Sequence, residues 1–206
     1  QLPRLGKPIP KQTMSHEEVQ QVMILCDLSD PLGIRDRAMM ELFYANGIRR
    51  AELTNLSIYD IDFLRGTLLV REGKGKKDRV IPVGQSTLAW LEKYLNEARP
   101  KIQTRVDDIT LFYTQQGERL SDTYLSAHIS KYISKANINK QGSCHLFRHT
   151  AATLMLENGA DIRYIQEMLG HASIKTTEIY TRVSIKQLKA VHELTHPNNQ
   201  KSEDSS

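Results

Sequence analysis

Apolar residues recur at helical spacing through most of the chain and give way to strand-like alternation only in one short stretch. Ser15 and Glu18 form an S-x-x-E capping box, and Val19, Val22, Met23 and Cys26 then mark one face of a helix. Asp30-Pro31 reads as a cap followed by a first-turn proline. Ile34, Ala38 and Leu42 stripe the helix it opens, and Gly47 breaks it. A short helix from Arg50 to Leu56 follows. From about Ile61 the period changes. Thr67–Arg71 and Arg79–Val83 are β-like runs around Glu72–Asp78, which predicts a hairpin with a basic tip. A short strand near Asp62 would complete a small antiparallel sheet. Helical spacing returns at Leu88, Leu91, Leu95 and Ala98, lapses into a predicted loop over 99–110, and resumes at Leu125, Ile129 and Ile133.

The last third is helical and punctuated. His145 to Asn158 ends at Gly159, and Asp161 caps a helix that ends at Gly170. Ser173 caps a segment holding Tyr180, and Ser184 caps an amphipathic helix through Ile185, Leu188 and Val191. Residues 196–206 are polar and predicted to be a disordered tail. The pattern as a whole predicts an α+β fold, mostly α-helical, with a three-stranded antiparallel sheet.

Composition narrows the setting. With 39% hydrophobic and 25% charged residues in 206, the chain can bury a core. No apolar run approaches the roughly 18 residues of a membrane span. Cys26 and Cys144 are too few for a disulfide framework, which points to a reducing, cytoplasmic compartment. The net charge of +4 leans toward polyanionic partners without establishing one. The start, Gln1-Leu2-Pro3-Arg4, has neither an initiator Met nor a signal-peptide core, so a fragment is expected. Residues 1–12, rich in proline and basic side chains, read as an extended linker.

Several groups carry candidate chemistry, and each alone has a bland explanation. His145 and Arg148, at i and i+3, share a helix face and can converge on one ligand, or simply be solvated. Cys144, His145 and His149 have ligand-type side chains but too few partners for a zinc site. His171 follows a helix-ending glycine, and Tyr180 could be mere packing. Arg49 and Arg50 lie just past the Gly47 break. Gly73-Lys74-Gly75-Lys76-Lys77 lacks the G-x-x-x-x-G-K-[ST] spacing and the strand-to-helix context of a nucleotide-binding loop, which leaves a basic hairpin tip suited to a DNA groove.

In combination these elements are specific. G-I-R-x-x-E, the G-K-G-K-K hairpin, H-x-x-R, L-G-H and a tyrosine at 180, in that order, resemble the catalytic domain of tyrosine site-specific recombinases of the phage-integrase and Xer type. The resemblance covers about 13–195, and it implies that 1–12 is the linker from an N-terminal core-binding domain. It places the catalytic set on Arg49, Lys74, His145, Arg148 and His171, with Tyr180 as nucleophile. Arg50, Lys76, Lys77 and Arg79 are the DNA-contact candidates. Arg50 stands where the family usually has a non-basic residue, and Arg49 is taken as the inward arginine by register. Glu52, one turn on, would orient a neighbouring catalytic side chain or be a plain surface carboxylate.

The resemblance also implies site-specific recombination of double-stranded DNA through a 3′-phosphotyrosyl intermediate, without metal, ATP or other cofactor. It further implies a homo-tetramer on synapsed DNA in which helix 185–194 docks in trans. Relaxation of the type IB topoisomerase kind and a catalytically silent DNA-binding module are the alternatives.

Overall fold

A computed structural model of the chain describes residues 12–71, 78–105 and 108–170. Its centre is helix α2 (Pro31–Asn46), which Asp30 caps by accepting from Leu32 N–H at 3.0 Å. Ile34, Ala38, Met39, Met40, Leu42 and Phe43 are all buried, because α2 is wrapped by other helices rather than lying on a surface. Around it pack α1 (His16–Met23), α4 (Gln85–Lys93) and α7 (Cys144–Glu157), while α6 (Asp122–Lys135) lies against α1, α7 and the short α3 (Arg50–Thr54). The Ser15–Glu18 capping box forms as the sequence predicts. Strands β1 (Ile61–Asp62), β2 (Thr67–Val70) and β3 (Arg79–Pro82) pair antiparallel in the order β1-β2-β3, with Leu68 opposite Ile81 and Val70 opposite Arg79. Helix α8 (Ile162–Leu169) closes the described part of the chain.

The predicted loop over 99–110 is corrected by the structure. After α4 the backbone continues through a π turn at Tyr94–Ala98 into α5 (Arg99–Ile102), so irregular chain begins only at Gln103. Pro100 lacks an N–H and its ring would crowd the preceding turn, and widening that turn to π spacing accommodates it. The charged Arg99, at the start of the predicted loop, is 8% exposed. It donates to the Asp108 and Thr110 carbonyls and to the Tyr113 hydroxyl, at 2.7, 2.8 and 3.0 Å from Nη2. The following segment therefore folds over a buried guanidinium.

A second buried polar group fastens α2 to α6. Asp36 Oδ1 accepts from Arg35 Nε and Nη2 at 2.9 and 2.6 Å, and Oδ2 accepts from the Tyr132 hydroxyl at 2.7 Å and sits 2.7 Å from His128 Nε2. Arg35 also donates to the Tyr113 carbonyl at 2.7 Å. Burial lifts the Asp36 carboxyl, but the His128 hydrogen bond and the Arg35 charge outweigh it and hold the group below its ordinary 3.8. A depressed folded-state value means stabilisation that is complete above pH ~4 and lost as pH falls through that lower value. Asp36→Ala, which strands Arg35 in the core, should lower unfolding free energy by about 3–5 kcal/mol at pH 7. Urea denaturation at stepped pH should show the gap to wild type narrowing below pH ~4 and constant above it.

Candidate functional site

The turn between α2 and α3 is where the site begins. Gly47 ends α2 with φ of +58°, and a Cβ there would lie 2.5 Å from Leu169 Cδ2, so both backbone hand and space call for glycine. The glycine lets Ile48 turn inward and delivers Arg49 to the start of α3. Glu52, at the third position of that helix, accepts the Arg49 N–H at 2.7 Å through Oε2 and Arg49 Nη1 at 2.9 Å through Oε1. Glu52 is 7% exposed, so it is no surface carboxylate.

The same carboxylate takes a second guanidinium. Arg79 Nη1 and Nη2 donate to Glu52 Oε1 and Oε2 at 2.8 and 3.0 Å, and Arg79 Nε donates to the Met168 carbonyl at 2.9 Å. Arg79, expected from the sequence as a DNA-contact candidate, is thus engaged within the fold. Strand alternation puts Arg79 on the inward face of β3 with Ile81, while Val80 points out. Burial raises the Glu52 carboxyl, but the hydrogen bonds from Arg79 and from the Arg49 N–H, with both charges, prevail and hold it below the ordinary 4.5.

Helix α7 supplies the opposite side. His145 and Arg148 lie one turn apart on it, as the i, i+3 spacing predicts. Arg148 Nη1 donates to the Gly47 carbonyl at 2.6 Å and Nη2 to the Leu169 carbonyl at 2.9 Å. The last carbonyls of α8, which have no partners within their own helix, are thus taken by two arginines from elsewhere in the fold. His149, on the turn behind, is half-buried. Burial first, then the neighbouring His145 and Arg148, push its imidazole below the ordinary 6.5.

Arg49, Arg50, His145 and Arg148 converge with Ser126 and Ser143 on one cleft of about 330 Å³. Of the catalytic set expected from the sequence, Arg49, His145 and Arg148 are brought together here. Lys74, His171 and Tyr180, with Lys76, Lys77 and helix 185–194, lie outside the described residues. Arg50 stands at the rim with its side chain 53% exposed, against 33% for Arg49. Sequence reading missed the inward role of Arg79 and the part played by the end of α8. The alternation of Arg79 with Ile81 was the available signal for the first; nothing local marks Met168 and Leu169. The site is strongly cationic, with fixed planar donors suited to an oxyanion such as a phosphodiester.

Comparisons with known proteins agree on the kind of chain this is. The sequence profile of the phage integrase family matches residues 12–187. The chain is 49% identical over 196 residues to tyrosine recombinase XerC 2 of Ralstonia nicotianae, covering 95% of this chain and 56% of that protein. It is 38% identical to tyrosine recombinase XerD of Pseudomonas aeruginosa, covering 95% and 65% respectively. It therefore spans less than two thirds of these relatives. Among solved structures, the XerA recombinase superposes with a TM-score of 0.76 at 33% identity, covering 93% of this chain and 67% of that one. XerH site-specific recombinase bound to a palindromic difH substrate, in a post-cleavage complex, superposes with a TM-score of 0.71 at 27% identity, covering 88% and 52%.

Coupling through Glu52 is directly measurable. Glu52→Gln and Arg79→Gln should each destabilise the fold, and together by less than the sum, with a coupling energy of about 1–3 kcal/mol in a double-mutant cycle read by urea denaturation. Strict additivity would show that the two groups act separately.

Proposed function

The chain belongs to the phage integrase family, and from that premise we propose that it cleaves and rejoins DNA in site-specific recombination. The observation that carries the reading is the shared cleft of Arg49, His145 and Arg148, reached from two separate parts of the fold. Similarity to recombinases named XerC and XerD and to a recombinase solved on its difH substrate supports double-stranded DNA as the partner.

Cleavage of a phosphodiester places added negative charge on the non-bridging oxygens of a five-coordinate phosphorus. Arg49 and Arg148 meet that charge with bidentate, permanently ionised donors, and removal of such a donor typically raises a barrier by about 3–4 kcal/mol. The Tyr180 oxygen attacks phosphorus, forming the phosphotyrosyl bond as the bond to the 5′ oxygen breaks. A phenol titrates near ~10, so the attacking hydroxyl must give up its proton, and His145 accepts it. Lys74 returns a proton to the departing 5′ oxygen, and His171 adds a donor to the phosphate. The energy of the phosphodiester is retained in the new ester, so a partner strand's 5′-hydroxyl can reverse the step without ATP.

In this reading the active unit is a homo-tetramer on synapsed DNA. The amphipathic stretch 185–194 docks on a neighbouring protomer, Lys76 and Lys77 hold phosphates near the hairpin, and the protein works in the cytoplasm. No helix among the described residues is long and apolar enough to cross a membrane.

Nicked suicide duplex carrying the recombination site separates the possibilities. Wild type should give an SDS-resistant complex and Tyr180→Phe none. An undiminished adduct in the variant would remove the nucleophile assignment, and binding without any adduct would indicate a silent DNA-binding module. Strand exchange between two sites, rather than relaxation alone, distinguishes a recombinase from a topoisomerase-like enzyme.

The proton donor is tested by replacing the bridging 5′ oxygen with sulfur, because a thiolate leaves unprotonated. Lys74→Ala should recover most of its rate on that substrate while Arg49→Ala stays slow. Rescue of Lys76→Ala instead would move the role to Lys76.

A further inference from the structure

Arg49 and Arg50 are adjacent in sequence and line the same cleft, yet they are held by opposite kinds of partner. Arg49 is bound to a buried carboxylate, whereas Arg50 turns to α6 at the solvent edge. Arg50 Nη1 donates to Ser126 Oγ at 2.8 Å, and Nε stands 3.6 Å from Asp122 Oδ2. The Asp122 side chain is itself 41% exposed, and it also accepts from Thr54 Oγ1 at 3.1 Å. An ion pair this long and this wet holds its partners weakly.

The wall behind the pair is firm. Ser143 Oγ donates to the Ser126 carbonyl at 2.8 Å, which ties the first turn of α7, where His145 sits, to the turn of α6 that carries Ser126. The cationic corner at Arg50 is therefore fixed relative to His145 and Arg148, while its guanidinium can change partners. A hydroxyl that accepts from Arg50 still carries its own proton, and that proton can turn to an anionic oxygen.

One phosphodiester offers two non-bridging oxygens, and Arg49 and Arg148 already supply bidentate donors for them. A further guanidinium at the α6 side of the cleft, hydrogen-bonded to Ser126, stands beside that group rather than in the pair that clamps it. A DNA strand repeats its charge at every nucleotide, however, so a strand laid across the cleft presents a neighbouring phosphate beyond the first. We infer that Arg50 and Ser126 form a second phosphate seat, which takes a phosphodiester flanking the scissile one. Asp122 holds Arg50 in the free protein and is displaced when DNA arrives. A charge-assisted bond to phosphate is stronger than the long pair it replaces. The seat deepens the recombinase reading, on which the identity of the first phosphate rests.

The probe is a labelled random-sequence duplex, titrated with the full chain by fluorescence anisotropy between about 50 and 200 mM KCl. Each phosphate contact contributes about 0.9 to the slope of log affinity against log salt. Arg50→Ala should reduce the slope by about that amount, and Arg50→Lys should retain it. Asp122→Asn keeps the Thr54 hydrogen bond but releases the guanidinium. It should tighten binding in the wild-type background and do so less when Arg50 is alanine. A slope unchanged in Arg50→Ala would overturn the seat. So would Asp122→Asn that weakens binding, as expected of a brace between α3 and α6, or that tightens it equally in both backgrounds, as expected of net charge alone. Thermal melts of Arg50→Lys and Asp122→Asn confirm that folded protein is compared. Absence of a covalent adduct in wild type counts against recombination, whereas an unchanged slope counts against the seat, so the two failures are separable.

Discussion

Arg49 and Arg79 bring two guanidiniums, which repel one another, onto a single carboxylate, and Glu52 offsets that repulsion. Its two oxygens take the Arg49 side chain, the Arg49 N–H and both terminal nitrogens of Arg79. An ionised carboxylate is expensive to bury unless fully engaged, and two cations are expensive to bury unless neutralised. Neither half is stable without the other, which is why the α2–α3 turn, β3 and the carboxylate form one unit. Through Arg79 the unit extends to the end of α8, because Arg79 Nε takes the Met168 carbonyl.

Helix α8 in turn depends on both sides of the site. Its terminal carbonyls need donors, and those donors are Arg79 from the sheet and Arg148 from α7. Leu169 packs over Gly47, the glycine that delivers Arg49. The chain leaving α8 at Gly170, immediately before His171, therefore starts from a point set by the same arginines that face the cleft. The placement of Arg49 and the end of α8 are thus coupled through polar contacts as well as through the packing of Leu169 on Gly47.

Much of this was legible because helical and strand periods are local. The capping box at Ser15, the Asp30-Pro31 start, the Gly47 stop and the shift to alternation at Thr67 each depend on a few neighbouring residues. The i, i+3 placement of His145 and Arg148 on one cleft was readable for the same reason. What escaped were charges whose partners are distant in sequence. Arg99 reads as a loop residue until the Thr110 carbonyl is seen to fold back on it, and the pairing of Arg79 with Glu52, 27 positions away, has no local sign. Arg35 and Asp36 sit on a helix read only by its Ile34, Ala38 and Leu42 stripe, so their burial against His128 and Tyr132 was invisible. A hydrophobic pattern reports which residues leave water, and says nothing of a charge that leaves water with its counter-charge.

The way each arginine is anchored also sorts its contribution. Arg49 and Arg148 are fixed by Glu52 and by backbone carbonyls, so folding has already oriented them, and in the proposed reaction little reorganisation would remain for the phosphate. Donors fixed in that way can be aimed at charge that develops only in the transition state, and such interactions speed chemistry. Arg50 has only a hydroxyl and a distant, wet carboxylate, so in the proposed seat it would exchange one partner for another on binding and gain the same amount before and during the reaction. Interactions of that uniform kind tighten the complex without accelerating the step. On the proposed reading two neighbouring residues of one type divide catalysis from affinity, and what divides them is the burial of the carboxylate each one meets.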